Sequence, residues 1–386
     1  MTVRQLATVA AVVAVMTVLA AGLGSGEGNA VTIGVVAPLS GPRAYLGEEI
    51  LNGVRLAVDE LNREGGLLGE PVELQVVDDA DLVQLPAQLA ELAEREHVTA
   101  VIGPEAPGVV LADRSPLARR GVPALLPASF SGELGNAPAP VFRIVPSADA
   151  QARALGRWLS RYRAVDSVAV LVADPVEGAA VADGLVTGLR KGGVETVELL
   201  EVPADTARFD AAVSNLRERL PDAGALLLWG PPPTAARATL AARRVGWDLQ
   251  LLVPSSAFVS EYRTLAGQAS EGVVLAFPFR EEWFRGPELT NFLLRYYREY
   301  GLGALPDLDT LVLDVPVVAA ASYDATMLVA AAAENAGSAT PTAVADALAR
   351  ITYDGLLKTY DQLDRREAWA PTELDIARFH HLATTF

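Results

Sequence analysis

VTIGVVAPLSGPRAYLGEEILNGVRLAVDELNREGGLLGEPVELQVVDD, residues Val31 to Asp79, reads as a strand, a glycine-proline loop, an amphipathic helix and a second strand. Val31 to Val36 is apolar and rich in β-branched residues, as a strand covered on both faces requires, and Pro38 with Gly41-Pro42 ends it in a turn. In the helix that follows, Ile50, Val54, Ala57, Val58 and Leu61 share one stripe, while Glu48, Arg55, Glu60 and Arg63 take the other side. Gly65-Gly66 supplies a left-handed stop. Val72, Leu74 and Val76 then form the next strand, which a right-handed crossover places parallel to the first.

The same alternation continues outward. Val98 to Ile102, Val122 to Leu126, Ser167 to Val172, Val194 to Leu200, Ala225 to Trp229 and Leu251 to Val253 are strand-like. Helical patterns cover Pro86 to Glu96, Ala148 to Arg161, Ala179 to Lys191, Phe209 to Arg219, Thr234 to Val245, Pro287 to Tyr300 and Val315 to Asn335. Strands alternating with helices predict parallel sheets wound on both faces, an α/β class. With 386 residues and 51% hydrophobic content the chain can bury two cores, because single domains usually stop growing near roughly 250 to 300 residues.

A formal charge of -17 argues against a nucleic-acid partner, whose phosphates want a basic face, and against docking on anionic lipid. Ordinary solvated surface accounts for such acidity equally well. The chain has no cysteine, which excludes disulfides, thiolate catalysis and cysteine-based zinc sites. At the N-terminus Arg4 precedes an uncharged, Ala/Val/Leu-rich run from Gln5 to Gly26, the pattern of an export signal. Leu19-Ala20-Ala21 is followed by Gly22 where a lipoprotein signal carries its cysteine, so lipidation is excluded as written. Cleavage after small residues and retention as an anchor both fit, since the 22-residue run can span a bilayer. A periplasmic or cell-surface location is expected.

Taken in order, Ala37-Pro38-Leu39-Ser40-Gly41-Pro42, Gly47, Leu56-Ala57-Val58-Asp59-Glu60-Leu61-Asn62, Gly65-Gly66, Gly69 and Asp78-Asp79 resemble the type I periplasmic solute-binding proteins. The likeness is to the branched-chain amino acid (leucine/isoleucine/valine) binding group of ABC importers. Ala100-Val101-Ile102-Gly103-Pro104, Gly121-Val122-Pro123, Glu271-Gly272-Val273 and Ser322-Tyr323-Asp324-Ala325 extend it. The resemblance implies two doubly wound, Rossmann-like parallel-sheet lobes joined by three hinge crossovers, near Arg143 to Ser147, Phe277 to Glu281 and Tyr353 to Gln362. Lobe one would take 30–146 and 277–352, lobe two 147–276 and 353–386, with 1–29 as export segment and linker. It also implies a monomer that captures a small organic ligand by closing and delivers it to an ABC permease, without a cofactor.

Open α/β sheets bind ligands at the C-terminal ends of their strands. The loops so placed are Pro38 to Gly47, Gly103 to Val109, Pro127 to Gly132, Ala173 to Gly178, Gly230 to Thr234 and Pro254 to Phe258. Where the family's amino acid binders carry carboxylate-holding hydroxyls, this chain has Pro107, beside Gly108, and Phe130. Proline offers neither hydroxyl nor amide hydrogen and phenylalanine only a ring. A one-residue shift would bring Ser129 or Ser131 into that role. The first-lobe aromatic of the family falls on Leu46, beside Tyr45, and the second-lobe aromatics fall on Glu177 and Pro231.

The acid that neutralises a substrate ammonium would lie near Ser255, which is uncharged. Glu177 is either its replacement or a solvated loop acid. Phe130, Trp229, Phe258, Phe277, Phe279 and Trp283 either build an apolar cleft or belong to the core, and Phe130 is the one best placed to stack on a ligand.

No nucleophile with a base, metal set or cofactor cradle is visible, so an enzyme is not expected. His97 reads as a surface residue at a helix end, and His380 and His381, if in a strand, point to opposite faces. A receptor or sensor module, or a binder acting through a protein partner, is the alternative to an importer component.

Overall fold

β1 (Val31–Ala37) lies between β2 (Val72–Asp78) and β3 (Ala100–Ile102), parallel to both, and β4 (Ala124–Leu126) and β5 (Val141–Arg143) complete a five-stranded parallel sheet of order β2-β1-β3-β4-β5. The computed structural model describes residues 30–94, 97–105, 115–130, 134, 140–174, 178–206, 208–278, 286–301, 315–361, 363, 374–380 and 383–385. Ile33, Val35 and Ala37 of β1 face one core, and Val36 faces a second with Leu85, Leu89, Val101 and Leu126. Burial on both faces is what makes the opening stretch a continuous apolar run rather than an alternating one.

α1 (Ala44–Arg63) covers the first face. Its buried residues include the expected stripe Ile50, Val54, Ala57, Val58 and Leu61, together with Gly47, Leu51, Gly53 and Leu56. The wider face exists because a second long helix lies on it. A Cβ on Gly53 would stand 2.1 Å from the carbonyl oxygen of Ala319, so only glycine permits this approach. Gly66 ends the helix at φ +83, where a Cβ would collide with the Glu70 carbonyl. α2 (Leu85–Glu94) and α3 (Pro116–Arg120) supply the other face.

The second sheet has the order β14-β13-β10-β9-β8-β6-β7. β6 (Ser167–Val172), β7 (Thr196–Glu201), β8 (Ala225–Trp229), β9 (Gln250–Val253) and β10 (Val274–Phe277) are parallel. α4 (Ala148–Trp158), α5 (Gly178–Lys191), α6 (Phe209–Arg219), α7 (Pro232–Val245) and α8 (Ser260–Ala266) accompany these strands. The chain then returns to the first lobe as α9 (Pro287–Tyr300), α10 (Val317–Ala336) and α11 (Pro341–Leu348). α10 is long and apolar enough to cross a membrane, but it is a core helix packed along α1 and largely buried. Glu60, expected on an open face of α1, is ion-paired with Arg295 of α9. Arg295 also donates to the Leu56 carbonyl at 3.0 Å.

A hairpin, β11 (Thr352–Asp354) and β12 (Thr359–Asp361), occupies the stretch where the third crossover was expected. It stays with the first lobe. The buried carboxylate of Asp324, on α10, accepts the N–H groups of Leu356 at 2.6 Å and Leu357 at 2.9 Å and the hydroxyl of Tyr360 at 3.0 Å. β13 (Asp375–His380) then adds antiparallel to β10, and β14 (Ala383–Thr385) to β13. β10 and its returning neighbour run in opposite directions, so the second sheet is parallel only over β6 to β10.

Candidate functional site

The strand ends of both lobes converge on a cavity of about 160 Å³. All six of the expected loops contribute to its lining: Tyr45 and Leu46 from the first, Glu105 from the second, Ala128 and Phe130 from the third, Asp174 from the fourth, Gly230 and Pro231 from the fifth and Ser256 from the sixth. Glu49, Trp229, Val259, Glu261, Val317 and Val318 complete much of the rest.

On the first-lobe side, the loop after β1 is held from behind. The Asp78 carboxylate accepts the N–H of Leu39 at 2.9 Å and of Ala80 at 3.1 Å, and a hydrogen bond from the Ser40 hydroxyl helps hold its carboxyl below the usual range. The carboxylate of its neighbour Asp79 is buried with no hydrogen-bond partner among the described residues, and burial pushes it up to about 6. The loop tightens through Gly41–Arg43 into α1, so Tyr45 lies in the first helical turn and Glu49 one turn later on the same face. Arg43 is engaged with Glu105.

The two lobes meet aromatically. Phe130, after β4, and Trp229, the last residue of β8, stand edge to face with centroids 6.1 Å apart and planes at 81°. The Phe130 carbonyl accepts the N–H of Ala148 at 2.8 Å, which ties this loop to the start of α4, where the Ser147 hydroxyl accepts the N–H of Ala150.

The remaining wall is acidic. Burial pushes the Glu49 carboxyl up to about 7, and the negative charge of Glu261 adds to it. Glu261, in the first turn of α8, is likewise raised by burial. The Tyr45 hydroxyl is driven above its normal range by burial and then by Glu49, Glu261 and Asp174. Carboxylates of the second lobe therefore act directly on a ring of the first. Arg43 opposes this shift, but it already faces Glu105. Arg263, two residues beyond Glu261, interacts with Tyr297 of α9. Among the described residues no group of three or more His, Asp or Glu side chains is placed to hold a metal ion.

Of the residues singled out from the sequence, Tyr45, Leu46, Phe130 and Pro231 line the cavity. Ser129 and Ser255 do not reach it. Both are fully buried; the Ser255 N–H donates to the Gln151 side chain at 2.9 Å, and Gln151 donates in turn to the Pro146 carbonyl at 3.0 Å. It is Ser256, one residue later, that faces the cavity. Pro107, Gly108, Ser131 and Glu177, with Phe279 and Trp283, lie outside the described residues.

Trp229 is both a buried strand end and a cavity wall, whereas Phe258 and Phe277 are core: their centroids are 4.7 Å apart and Phe258 stacks on Phe379. His97 is exposed, at φ +50, and His380 ends β13. Sequence reasoning missed Glu49, Asp174 and Glu261. Glu49 carried a signal, four residues after Tyr45 on one helix; Glu261 had none, because its meeting with Glu49 is made by the lobes and not by local pattern.

Known proteins show the same architecture. A Leu/Ile/Val-binding protein, BraC3, of Rhizobium johnstonii is 29% identical over 193 residues, which is 50% of this chain and 53% of that protein, so the match spans about half the length of either. The leucine binding protein LivK of Thermotoga maritima superposes with a TM-score of 0.75 at 20% identity, covering 92% of this chain and 97% of that one. A solute binding protein of R. palustris, solved in complex with benzoate, gives a TM-score of 0.75 at 18% identity over 92% and 95% of the two chains. The periplasmic binding protein family model matches residues 30–378, nearly the whole span after the N-terminal segment, and the chain belongs to that family.

Proposed function

We propose that this chain is the extracytoplasmic solute-binding component of an ABC importer, exported through its N-terminal segment, which captures a small organic ligand between its lobes by hinge closure. The observation that carries the reading is the cavity between the lobes, lined by strand-end loops of both. A ligand touching both walls favours the closed state by its differential affinity, and a permease reads that shape. The ligand is a non-standard amino acid, an amine or an apolar or aromatic compound: Phe130 lines the cavity, and the family resemblance implies a hydroxyl at its position in an ordinary amino acid clamp.

The test is a thermal-shift screen of the exported chain against amino acids, amides, short-chain acids, amines and aromatic acids. A true ligand at a hundred times its Kd stabilises the folded state by about 2.7 kcal/mol, and small-angle scattering of the same mixture should show a more compact molecule. Stabilisation by no class of compound sinks the importer reading.

A further inference from the structure

Most of the cavity's polar wall carries one sign of charge. Glu49 and Glu105 from the first lobe and Asp174 and Glu261 from the second line it, and Glu105 is paired with Arg43. Among the described residues that line it there is no lysine, arginine or histidine. The apolar part of the same cavity is aromatic, with Phe130 and Trp229 presented from opposite lobes. Ser256 and the Tyr45 hydroxyl are neutral, and Tyr45 itself stands among the carboxylates. A carboxylate-bearing ligand would have to enter this acidic wall with no cation among the described lining residues to receive it; a cation meets complementary charge at one end and ring faces at the other.

We propose that the cavity selects a small organic cation without a carboxylate, a primary amine on an apolar body, with its ammonium held between Glu49 and Glu261 across the lobes and its body against Phe130 and Trp229. The assignment rests on the reading of this cavity as the ligand site. It also explains what makes closure depend on ligand. Two carboxylates brought together from opposite lobes repel in the empty protein, and a cation between them turns that repulsion into attraction from both sides. The elevated Glu49 carboxyl is in keeping with an acid awaiting its counter-charge.

The experiment uses probes matched in shape and differing in charge: 2-phenylethylamine, phenylalanine and 3-phenylpropionate, with isopentylamine and leucine as the aliphatic pair. Titration calorimetry and thermal shift on the full chain should show each amine binding at least tenfold more tightly than its carboxylate-bearing counterparts. Glu49→Gln and Glu261→Gln should each weaken amine binding tenfold or more while the empty proteins melt no lower than the parent. Glu261 is exposed enough that its variant tests the idea even if the other fails to fold.

Tighter binding of phenylalanine, leucine or 3-phenylpropionate than of the amines overturns the cation assignment and leaves the solute-binding reading standing, as does amine binding indifferent to both substitutions. Stabilisation by no probe of any charge, here or in the wider screen, overturns both.

Discussion

Glu49 illustrates how one side chain joins stability to recognition. Its carboxyl is raised from 4.5 to about 7, so the folded chain holds this proton more tightly than the unfolded chain does. Below pH 4.5 both states are protonated and the group costs nothing; between 4.5 and 7 the cost of ionising it in the fold grows, and above 7 it is complete. Glu49→Gln is therefore expected to stabilise the empty protein by about 2 kcal/mol at pH 8 and by almost nothing near pH 4.5, measured by urea unfolding at both. Among the described residues the titratable groups that interact with Glu49 are Glu261 of α8, Tyr45 of its own helix and Tyr296 and Tyr297 of α9, none of them a cation.

Phe130 is the complementary case, a half-buried ring with one edge on Trp229. Phe130→Ala should lower affinity for an identified ligand about tenfold with little change in melting temperature, and unchanged affinity would remove it from the site. Phe130 was singled out in the sequence because the family resemblance put a clamp position on it in a strand-end loop; Ser256 was not distinguished from Ser255, because one residue of rotation in such a loop reverses which side chain points in.

Among the elements, α1 and α10 bear most directly on the first lobe. Their contact at Gly53 leaves no room for a side chain, and Gly53→Ala should cost about 2 kcal/mol by forcing the helices apart, visible as a lower urea midpoint with an unchanged slope. The hairpin β11–β12 depends on α10 through Asp324. Asp324→Ala strips two buried N–H groups and a tyrosine hydroxyl of their acceptor and should cost about 3 kcal/mol or more, with amide exchange accelerating first at Leu356 and Leu357. The repeated stripe located α1, and a long, almost unbroken apolar run located α10. Neither kind of pattern revealed the hairpin, whose short strands read as linker until Asp324 is seen to hold them.

At the scale of the whole molecule, three carboxyl groups are raised together, Glu49 and Asp324 to about 7 and Asp79 to about 6, in each case chiefly by desolvation. All three bind protons more tightly folded than unfolded, and the formal charge of -17 adds self-repulsion at higher pH. The empty protein should accordingly melt higher at pH 5.5 than at pH 8, and a ligand that neutralises the cleft should narrow that difference; a flat or inverted profile contradicts this.

The amino-acid sequence by itself determined the α/β alternation and the burial of β1 on both faces, because each depends on neighbours within one strand or one helical stripe, and it determined the family through the order and spacing of short motifs along the chain. Only the tertiary structure decided the character of the cavity. Glu49 and Glu261 belong to different lobes, and Phe130 meets Trp229 across them. Charge and aromatic surface in the cleft arise from elements far apart in the chain, which no local period records.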